Sequence, residues 1–376
     1  MKVATILGTR PEIIRLSRVI AALDRHMEHV LIHTGQNYDY ELNQVFFEDM
    51  EIRPPDYYLQ AVGRTTAETI GMVISKSSEV LTEVKPDAVL ILGDTNSCLA
   101  ALAAKRLRIP VFHMEAGNRC FDERVPEEIN RRIVDHISDI NMPYSSIARE
   151  YLLREGIAPD RIVKTGSPMR EVLAHYRAKI DASNALERLG LKRGHYFVLS
   201  AHREENIDAP EQFRRLTELP NLLVSSYGEP VVFSIHPRTR KRIEAEGTAF
   251  PESVRLLKPL AFSDYVHLMM GARATLSDSG TITEESSILN FRALNIREAH
   301  ERPEGMEEGA AMMTGLDAER ILECLRVLES QTTGAQRTLG IVADYDVPNV
   351  SEKVTRILHS YVSYINRNVW YKTGKG

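Results

Sequence analysis

The chain has 376 residues, of which 43% are hydrophobic and 26% charged, and its formal net charge is −5 at pH 7. This composition is typical of a soluble globular protein, and the length predicts two domains of roughly 150–200 residues each. Interspersed acidic and basic residues exclude a basic face for nucleic acid and a polybasic arm for a membrane. No apolar run approaches the roughly 18 residues of a membrane span, and the amino-terminal segment predicts a strand rather than a secretion signal. We therefore expect a cytoplasmic protein with no nucleic-acid or membrane partner.

The cysteines and the glycine patterns argue against several kinds of site. Cys98, Cys120 and Cys324 are an odd, widely spaced set, which argues against a disulfide framework and a structural zinc site. Neither the Gly-x-Gly-x-x-Gly nor the GxxxxGK[ST] pattern occurs, which argues against nicotinamide and ATP. We expect neither a metal nor a cofactor.

Short apolar runs alternate with stretches of helical periodicity through the first half of the chain. In the stretch that follows the first run, Ile13, Ile20 and Leu23 fall on one face of a helix. Strands that are apolar throughout and separated by amphipathic helices predict a parallel sheet covered on both faces. The runs that we assign to strands are 3–8, 29–35, 87–94, 109–115 and 161–166.

The same pattern restarts in the second half and predicts a second domain of the same class. We assign residues 1–176 to the first domain and 193–348 to the second, with a polar linker over 177–192. The last segment, 349–376, contains a helical pattern that can pack on either domain. The apolar runs of the second domain are 196–202, 230–236, 254–260, 274–280 and 292–298.

Basic residues follow several of the predicted strands. Ligands of open parallel sheets bind beyond the carboxyl ends of the strands, and two facing domains predict a cleft there. Arg10 lies at the first such end, beside Pro11 in the first helical turn, where a guanidinium can hold a phosphate. His202, Arg203 and His236 follow strands of the second domain. A solvent-facing or structural role is the alternative for each alone, but together they indicate a phosphorylated or nucleotide-linked substrate.

Small residues and carboxylates complete the candidate site. Ser279, Gly280 and Thr281 lie where a strand meets a helix, which predicts a phosphate cradle, with an ordinary helix cap as the alternative. Asp94 and Glu115 follow neighbouring strands of the first domain, where carboxylates predict proton transfer.

Further carboxylates lie between Asp122 and Glu128, close to the start of a predicted helix. Glu127 and Glu128 follow Pro126, so the alternative for both is a first-turn charge favoured by the helix dipole. We prefer that interpretation for Glu128. We interpret Asp122 and Glu123 as loop polarity.

Several motifs, taken together, resemble those of the non-hydrolysing UDP-N-acetylglucosamine 2-epimerase family over essentially the whole chain. The motifs are LGTRPE, ILGDTNS, HMEAGNRCFD, VPEEINRR, SAHREENID, LSDSGTITEES and REAHERPE. The resemblance implies an α/β protein of two Rossmann-like, doubly wound domains facing a cleft, the glycosyltransferase-B architecture. It also implies a carboxyl-terminal helix that crosses back to the first domain, and a homodimer.

Within the family, one branch makes UDP-N-acetyl-L-fucosamine from UDP-2-acetamido-2,6-dideoxy-L-talose. The sequence segments similar to those of this branch are HTGQNYDYELNQVFF, KTGSPMREVL and NVSEKV. That branch serves capsule and O-antigen synthesis. The first alternative is a UDP-N-acetylglucosamine 2-epimerase, which gives UDP-N-acetylmannosamine. Alternatives of other classes are a glycosyltransferase on the same architecture and a non-catalytic UDP-sugar-binding regulator, neither of which needs paired proton-handling carboxylates.

The resemblance also implies roles for individual residues. Asp94, Glu115 and Glu127 match the acid and base carboxylates, and His202 matches a catalytic histidine at the diphosphate. Among the substrate contacts, Glu285 matches the ribose contact and Phe262 is a candidate for the uracil pocket. The full set of implied UDP and substrate contacts is Arg10, Arg15, Arg203, His236, Phe262, Ser279, Gly280, Thr281, Glu285 and Arg302.

The chain departs from the family pattern at three positions. Arg15 replaces a common lysine and Thr281 a common glycine, so a charge and a hydroxyl are available for binding. Asn37 replaces the histidine that family members use around a regulatory second nucleotide site. This change weakens the expectation of activation by a second substrate molecule.

Overall fold

The computed structural model describes residues 1–35 and 44–372, and the chain divides into two compact units. The first unit comprises Met1–Ala174 and the carboxyl-terminal segment from Asp346, and the second comprises His175–Tyr345. Within the described residues, no helix has the length and apolarity that a membrane crossing requires.

The first unit is built on a six-stranded sheet in the order β3-β2-β1-β4-β5-β6, with every neighbouring pair parallel. The strands are nearly all apolar because helices cover both faces. This order is that of the Rossmann fold, and it reverses between β1 and β4, the point where ligands bind in such sheets. The strands are β1 Lys2–Leu7, β2 Glu28–His33, β3 Tyr57–Tyr58, β4 Ala88–Leu92, β5 Val111–Met114 and β6 Ile140–Met142.

The helices of the first unit begin close to the carboxyl ends of the strands. The first helix starts at Arg10 with Thr9 at its N-cap and Pro11 in its first turn, and it buries Ile13, Leu16 and Leu23. The helices are α1 Arg10–His26, α2 Gln44–Asp49, α3 Thr66–Val84, α4 Ala100–Arg106, α5 Pro126–Ile137, α6 Ser146–Arg154 and α7 Met169–His175, which ends at the unit boundary.

The second unit repeats this topology, with a parallel sheet in the order β12-β11-β10-β7-β8-β9 and its reversal between β7 and β10. Its strands are β7 Phe197–Ala201, β8 Val231–Ile235, β9 Val254–Leu257, β10 Ala274–Ser277, β11 Ala293–Asn295 and β12 Met312–Met313. Its helices are α8 Arg177–Asp181, α9 Ala185–Arg188, α10 Glu204–Ile207, α11 Pro210–Tyr227, α12 Pro237–Glu246, α13 Phe262–Gly271, α14 Thr281–Leu289, α15 Pro303–Glu307 and α16 Ala318–Leu328.

The last helix, α17, spans Val350–Asn368 and packs against α1 in the first unit. Its first turn is fixed by Glu171 of α7, which accepts the N–H of Ser351 at 2.9 Å and also pairs with the Ser351 hydroxyl. The helix therefore completes the first unit with residues from the far end of the sequence.

The prediction of two doubly wound α/β domains is confirmed, but two of its details are wrong. The run 161–166 is not a strand, since only Ile162 forms an isolated bridge and Gly166 takes a φ of 86°. The stretch 177–192 is not a linker either, because it folds into α8 and α9 of the second unit, where Ile180 and Ala185 are fully buried. Two buried residues are too few to produce a visible apolar pattern.

Candidate functional site

Two of the predicted catalytic carboxylates lie side by side at the carboxyl edge of the first sheet. Asp94 follows β4, and Glu115 follows β5 with a φ of 63°, a left-handed conformation that is unusual for a residue with a side chain. A Cβ placed on Gly93 would lie 3.5 Å from Glu115 Oε2. Glu115 therefore reaches the backbone that carries Asp94.

Each of these carboxylates has an arginine partner. Glu115 is 6% exposed and forms an ion pair with Arg15 of α1, and it also accepts the Asn118 side-chain amide at 3.2 Å. Asp94 accepts Arg131 Nε of α5 at 2.7 Å. A cation compensates the charge of a carboxylate that is withdrawn from water, and a guanidinium also fixes its orientation. Arg15, for which the resemblance implies a substrate contact, is thus engaged by Glu115.

The first turn of α5 carries Glu127 and Glu128 in different environments. Glu127 is partly exposed, whereas Glu128 is fully buried and accepts the N–H groups of Cys120 at 3.1 Å and Phe121 at 3.3 Å. Burial acts to raise the pKa of Glu128, but the Cys120 N–H and Arg131 leave it below its usual value. Our interpretation of Glu128 as a helix-start charge is therefore incomplete, because Glu128 also holds the loop before α5.

Glu12 is a further buried carboxylate that is absent from the predicted site. It is 2% exposed and accepts the N–H of Gly8 at 3.0 Å, the Thr9 hydroxyl at 2.7 Å and the Ser97 hydroxyl. It thereby joins the loop after β1 to the loop after β4. Burial raises the pKa of Glu12 to about 6, although the donors oppose the shift. The spacing from Thr9 to Glu12 matches a capping box and is the signal that identifies this residue.

Asp278 makes the corresponding connection in the second unit, between the loops after β7 and β10. It follows β10, is fully buried, and accepts the N–H groups of His202 at 3.0 Å and Arg203 at 3.0 Å and the Asn206 amide at 3.1 Å. His202 Nδ1 lies 3.1 Å from its Oδ1. Burial acts to raise the pKa of Asp278, but His202 and these donors lower it to about 2. Asp278 therefore holds the two predicted basic residues after β7.

The predicted phosphate cradle lies directly after Asp278. The hydroxyls of Ser279 and Thr281 are 2.9 Å apart, and α14 begins at Thr281, so its first-turn N–H groups can receive an anion. A Cβ on Gly280 would lie 3.1 Å from Glu301 Oε1, and Arg203 Nη2 lies 3.1 Å from the same oxygen. The cradle and Arg203 thus meet at Glu301.

The remaining predicted contacts lie on several elements. Arg302, 2% exposed, donates from Nε to Glu284 of α14 at 3.0 Å, next to the predicted ribose contact Glu285. His236 caps α12, where its Nδ1 accepts the Arg238 N–H at 3.2 Å. Phe262 at the start of α13 is 3% exposed.

Two further predicted positions concern the first unit. The Arg10 guanidinium lies 5.6 Å from the centre of the Phe46 ring. Asn37 falls outside the described residues. The residues described by the structure contain no group of three or more His, Cys, Asp or Glu side chains arranged to hold a metal ion.

Comparison with known proteins supplies the family. The family described as UDP-N-acetylglucosamine 2-epimerase matches residues 21–359, most of the chain. The chain belongs to this family. A solved structure of the UDP-N-acetylglucosamine 2-epimerase from Rickettsia bellii is 51% identical, covers 99% of this chain and 100% of its own, and superposes with a TM-score of 0.91.

Other epimerases match over nearly the same length. The Methanocaldococcus jannaschii UDP-GlcNAc 2-epimerase, solved in complex with UDP-GlcNAc and UDP, is 32% identical, with a TM-score of 0.89 and coverage of 96% of this chain and 100% of its own. A UDP-2,3-diacetamido-2,3-dideoxy-D-glucuronate 2-epimerase from Pseudomonas aeruginosa is 34% identical over 88% of this chain and 93% of its own. The two-domain, glycosyltransferase-B-like architecture of this epimerase family is therefore that of the chain, which is an isomerase-type enzyme.

Proposed function

We propose that the protein inverts the configuration at C2 of a UDP-linked N-acetylhexosamine by eliminating UDP and adding it back. Family membership supports C2 epimerisation of a UDP-sugar. The observation that carries the mechanism is the pair Asp94 and Glu115, held side by side at the carboxyl edge of the first sheet by Arg131 and Arg15. We assign proton transfer to these two carboxylates and to Glu127 of α5.

The chemistry explains why more than one carboxylate is needed. In the first step a carboxylate removes the C2 proton while the bond between C1 and the UDP oxygen breaks, which leaves a glycal and free UDP. In the second step the UDP oxygen adds back to C1 and an acid returns a proton to the opposite face of C2. Removal and return on opposite faces require two groups in different positions.

The leaving diphosphate also needs stabilisation. Its negative charge grows as the C1–O bond breaks, and fixed donors that meet this charge lower the barrier. We assign this role to His202 and Arg203 and to the first turn of α14, all positioned around Asp278 and Glu301. Arg10 and Arg302 are further proposed phosphate contacts, with Glu285 at the ribose, and His236 and Phe262 are weaker proposed contacts.

For the sugar, we propose conversion of UDP-2-acetamido-2,6-dideoxy-L-talose to UDP-N-acetyl-L-fucosamine, for capsule or O-antigen synthesis. The support is the similarity of its motifs to that branch. The second candidate is UDP-N-acetylglucosamine, which the 51% identity to the R. bellii protein of that name favours. The P. aeruginosa relative carries the name of a third UDP-sugar, so the family includes proteins named for several sugars.

Deuterium incorporation tests both the proposed reaction at C2 and the proposed sugar. Each UDP-sugar is incubated with the protein in deuterated water, and C2 is followed by NMR. We expect deuterium at C2 and both epimers with the L-talo sugar. Exchange with UDP-N-acetylglucosamine alone would favour the second candidate. No exchange with either would exclude epimerisation of both sugars and favour a glycosyltransferase or a UDP-sugar-binding regulator.

We further propose a cytoplasmic homodimer that needs no cofactor. Sedimentation equilibrium of the full chain gives the oligomeric state, and a monomer at micromolar concentration would contradict the dimer. Turnover that persists after treatment with EDTA and gel filtration is the result expected without a cofactor.

A further inference from the structure

Asp135, on α5, is connected to both of the loops that carry Asp94 and Glu115, directly to the Glu115 loop and through His113 to the Asp94 loop. It is 1% exposed. Both of its carboxylate oxygens accept the N–H of Gly117, at 3.1 and 3.2 Å. Gly117 takes a φ of 82°, and a Cβ there would lie 2.4 Å from the carbonyl oxygen of Ala148. Asp135 therefore fixes the tight turn that begins at Glu115.

The second connection runs through His113 of β5, which is 1% exposed. Its Nδ1 lies 2.9 Å from Asp135 Oδ1, and its Nε2 lies 2.8 Å from the carbonyl oxygen of Gly93. A carbonyl can only accept, so Nε2 carries a proton. Burial acts to lower the pKa of His113, but Asp135 and the Gly93 carbonyl leave it raised, which favours a proton on Nδ1 as well. Asp135 thus acts through the imidazole on the residue that precedes Asp94.

The third connection runs through Arg119. Its Nη1 lies 2.7 Å from Asp135 Oδ2 and 2.7 Å from the carbonyl oxygen of Asn118, whose side chain donates to Glu115. Glu155 binds the other side of the guanidinium at 2.8 and 2.6 Å. The positive charges of His113 and Arg119 compensate the negative charges of Asp135 and Glu155, as buried charges require.

Asp135 also shares a helix with two residues of the proposed site. Glu127, Arg131 and Asp135 follow one another at intervals of four residues on α5, which places them along one face of the helix. Arg131 contacts the Asp94 side chain directly, and the Asn130 amide donates to the Asp94 backbone oxygen at 2.9 Å. One helix therefore presents Glu127 and orients both other carboxylates.

We propose that Asp135 is a positioning residue, which through Gly117, His113 and Arg119 holds Asp94 and Glu115 in the geometry that proton transfer at C2 requires. This inference rests on the proposed roles of Asp94 and Glu115. A displacement of about 1 Å at a reacting group can lower a rate by about 100-fold, so a residue that touches no substrate can have a large effect on kcat.

The chain offers a matched control in Asp139. Asp139 is also fully buried, and it forms an ion pair with Lys105 and accepts the N–H of Val111 at 2.9 Å. Val111, however, begins β5 and so lies at the opposite edge of the sheet. Asp135→Asn and Asp139→Asn thus remove similar buried charges from opposite ends of one sheet. Both variants are compared at a temperature at which circular dichroism shows each to be folded.

We expect Asp135→Asn to lower kcat by about 100-fold while KM and the calorimetric UDP affinity stay near the wild-type values, and Asp139→Asn to keep kcat. Equal kcat losses in the two variants, or a loss of UDP affinity in Asp135→Asn alone, would overturn the proposal. Wild-type deuterium exchange is measured in parallel. If the wild type shows no exchange, the result counts against the proposed function. If the wild type exchanges and Asp135→Asn keeps full activity, the result counts against this inference alone.

A second pair of variants decides the question if Asp135→Asn does not fold. His113→Gln keeps a donor near the position of Nε2, which faces Gly93, and loses the contact with Asp135. His113→Asn keeps a donor near the position of Nδ1, which faces Asp135, and loses the contact with Gly93. Because each variant breaks one end of the connection from Asp135 to Gly93, we expect both to lower kcat, with UDP affinity unchanged in both. A wild-type kcat in either variant would contradict a connection from Asp135 to Asp94 through the imidazole.

Discussion

Glu12 in the first unit and Asp278 in the second make the same kind of connection in two copies of one topology. Each is buried, and each joins the two loops at the point where the strand order reverses, after β1 and β4 or after β7 and β10. Their pKa values nevertheless move in opposite directions, to about 6 for Glu12 and about 2 for Asp278.

The difference follows from their partners. The donors recorded at Glu12 are uncharged N–H and hydroxyl groups, and burial outweighs them. Burial is also the largest single cause at Asp278, but the charge of His202 at 3.1 Å adds to similar donors, and together they outweigh burial and lower the pKa. Two carboxylates with the same structural task are therefore tuned differently, and the second one also fixes a predicted diphosphate contact.

Removing the charge of Asp278 should give the largest effect on stability. Asp278→Asn leaves three N–H donors and His202 without a carboxylate, and we expect the free energy of unfolding at pH 7 to fall by about 3–5 kcal/mol. Urea unfolding measures this change. Asp317→Asn, at the exposed N-cap of α16, is the control and should be nearly neutral because asparagine caps helices equally well. Similar values for the two variants would show that Asp278 is not a structural anchor.

Removing the His202 side chain should raise the pKa of Asp278 and so bring it closer to the behaviour of Glu12. A folded pKa of about 2 against 3.8 contributes about 2.5 kcal/mol. Because the folded pKa is lowered, this stability is present above pH 3.8 and is lost as the pH falls towards 2. In His202→Ala the contribution shrinks, so urea midpoints between pH 5 and 3 should fall less steeply than in the wild type. Parallel curves would mean that His202 does not set this pKa.

For Glu12 we expect the opposite dependence of stability on pH, with a loss as the pH rises. Its folded pKa is raised, from 4.5 to about 6, so the folded state binds the extra proton and the wild type loses stability as the pH rises through this range. The shift corresponds to about 2 kcal/mol. Glu12→Gln does not titrate, so the stability of the wild type relative to the variant should decrease by about 1.5 kcal/mol between pH 4.5 and 6.5. A constant difference over this range would falsify the assignment.

The smallest effect should come from one donor to Glu12. Ser97→Ala removes a buried hydroxyl that donates to the carboxylate, so we expect a loss of about 1 kcal/mol in urea unfolding and a further rise in the pKa of Glu12. Ser77→Ala is the matched control, because the Ser77 hydroxyl is buried without a hydrogen-bond partner among the described residues. Equal losses in the two variants would indicate that only the space filled by the side chain matters.

The apolar runs were sufficient to predict the sheets, but not the short edge strands. Runs such as 87–94 are buried on both faces and give a continuous signal, whereas β3 and β12 have two residues each and give none. The strand-end rule also predicted the positions of Asp94, Glu115 and His202, which the structure places just after β4, β5 and β7.

The residues that hold the candidate site were harder to predict. Asp135 lies in the last turn of α5, and the loop residues that it reaches, Gly117 directly and Gly93 through His113, are 18 and 42 residues away in sequence. Only the folded chain brings them together. Glu128 was assigned from its helix position alone, since nothing in the sequence shows that the preceding loop folds back over it. Glu12, by contrast, lies three residues after Thr9, and this capping-box spacing is visible in the sequence.

The four-residue spacing along α5 implies that insertions and substitutions there have different consequences. Each helical residue advances the chain by about 100° around the axis. One residue inserted between Glu127 and Arg131 would rotate the proposed proton-transfer group away from the face that holds Arg131 and Asp135, while every side chain remained present. The number of residues in this helix is therefore as much a part of the site as the identity of any one of them.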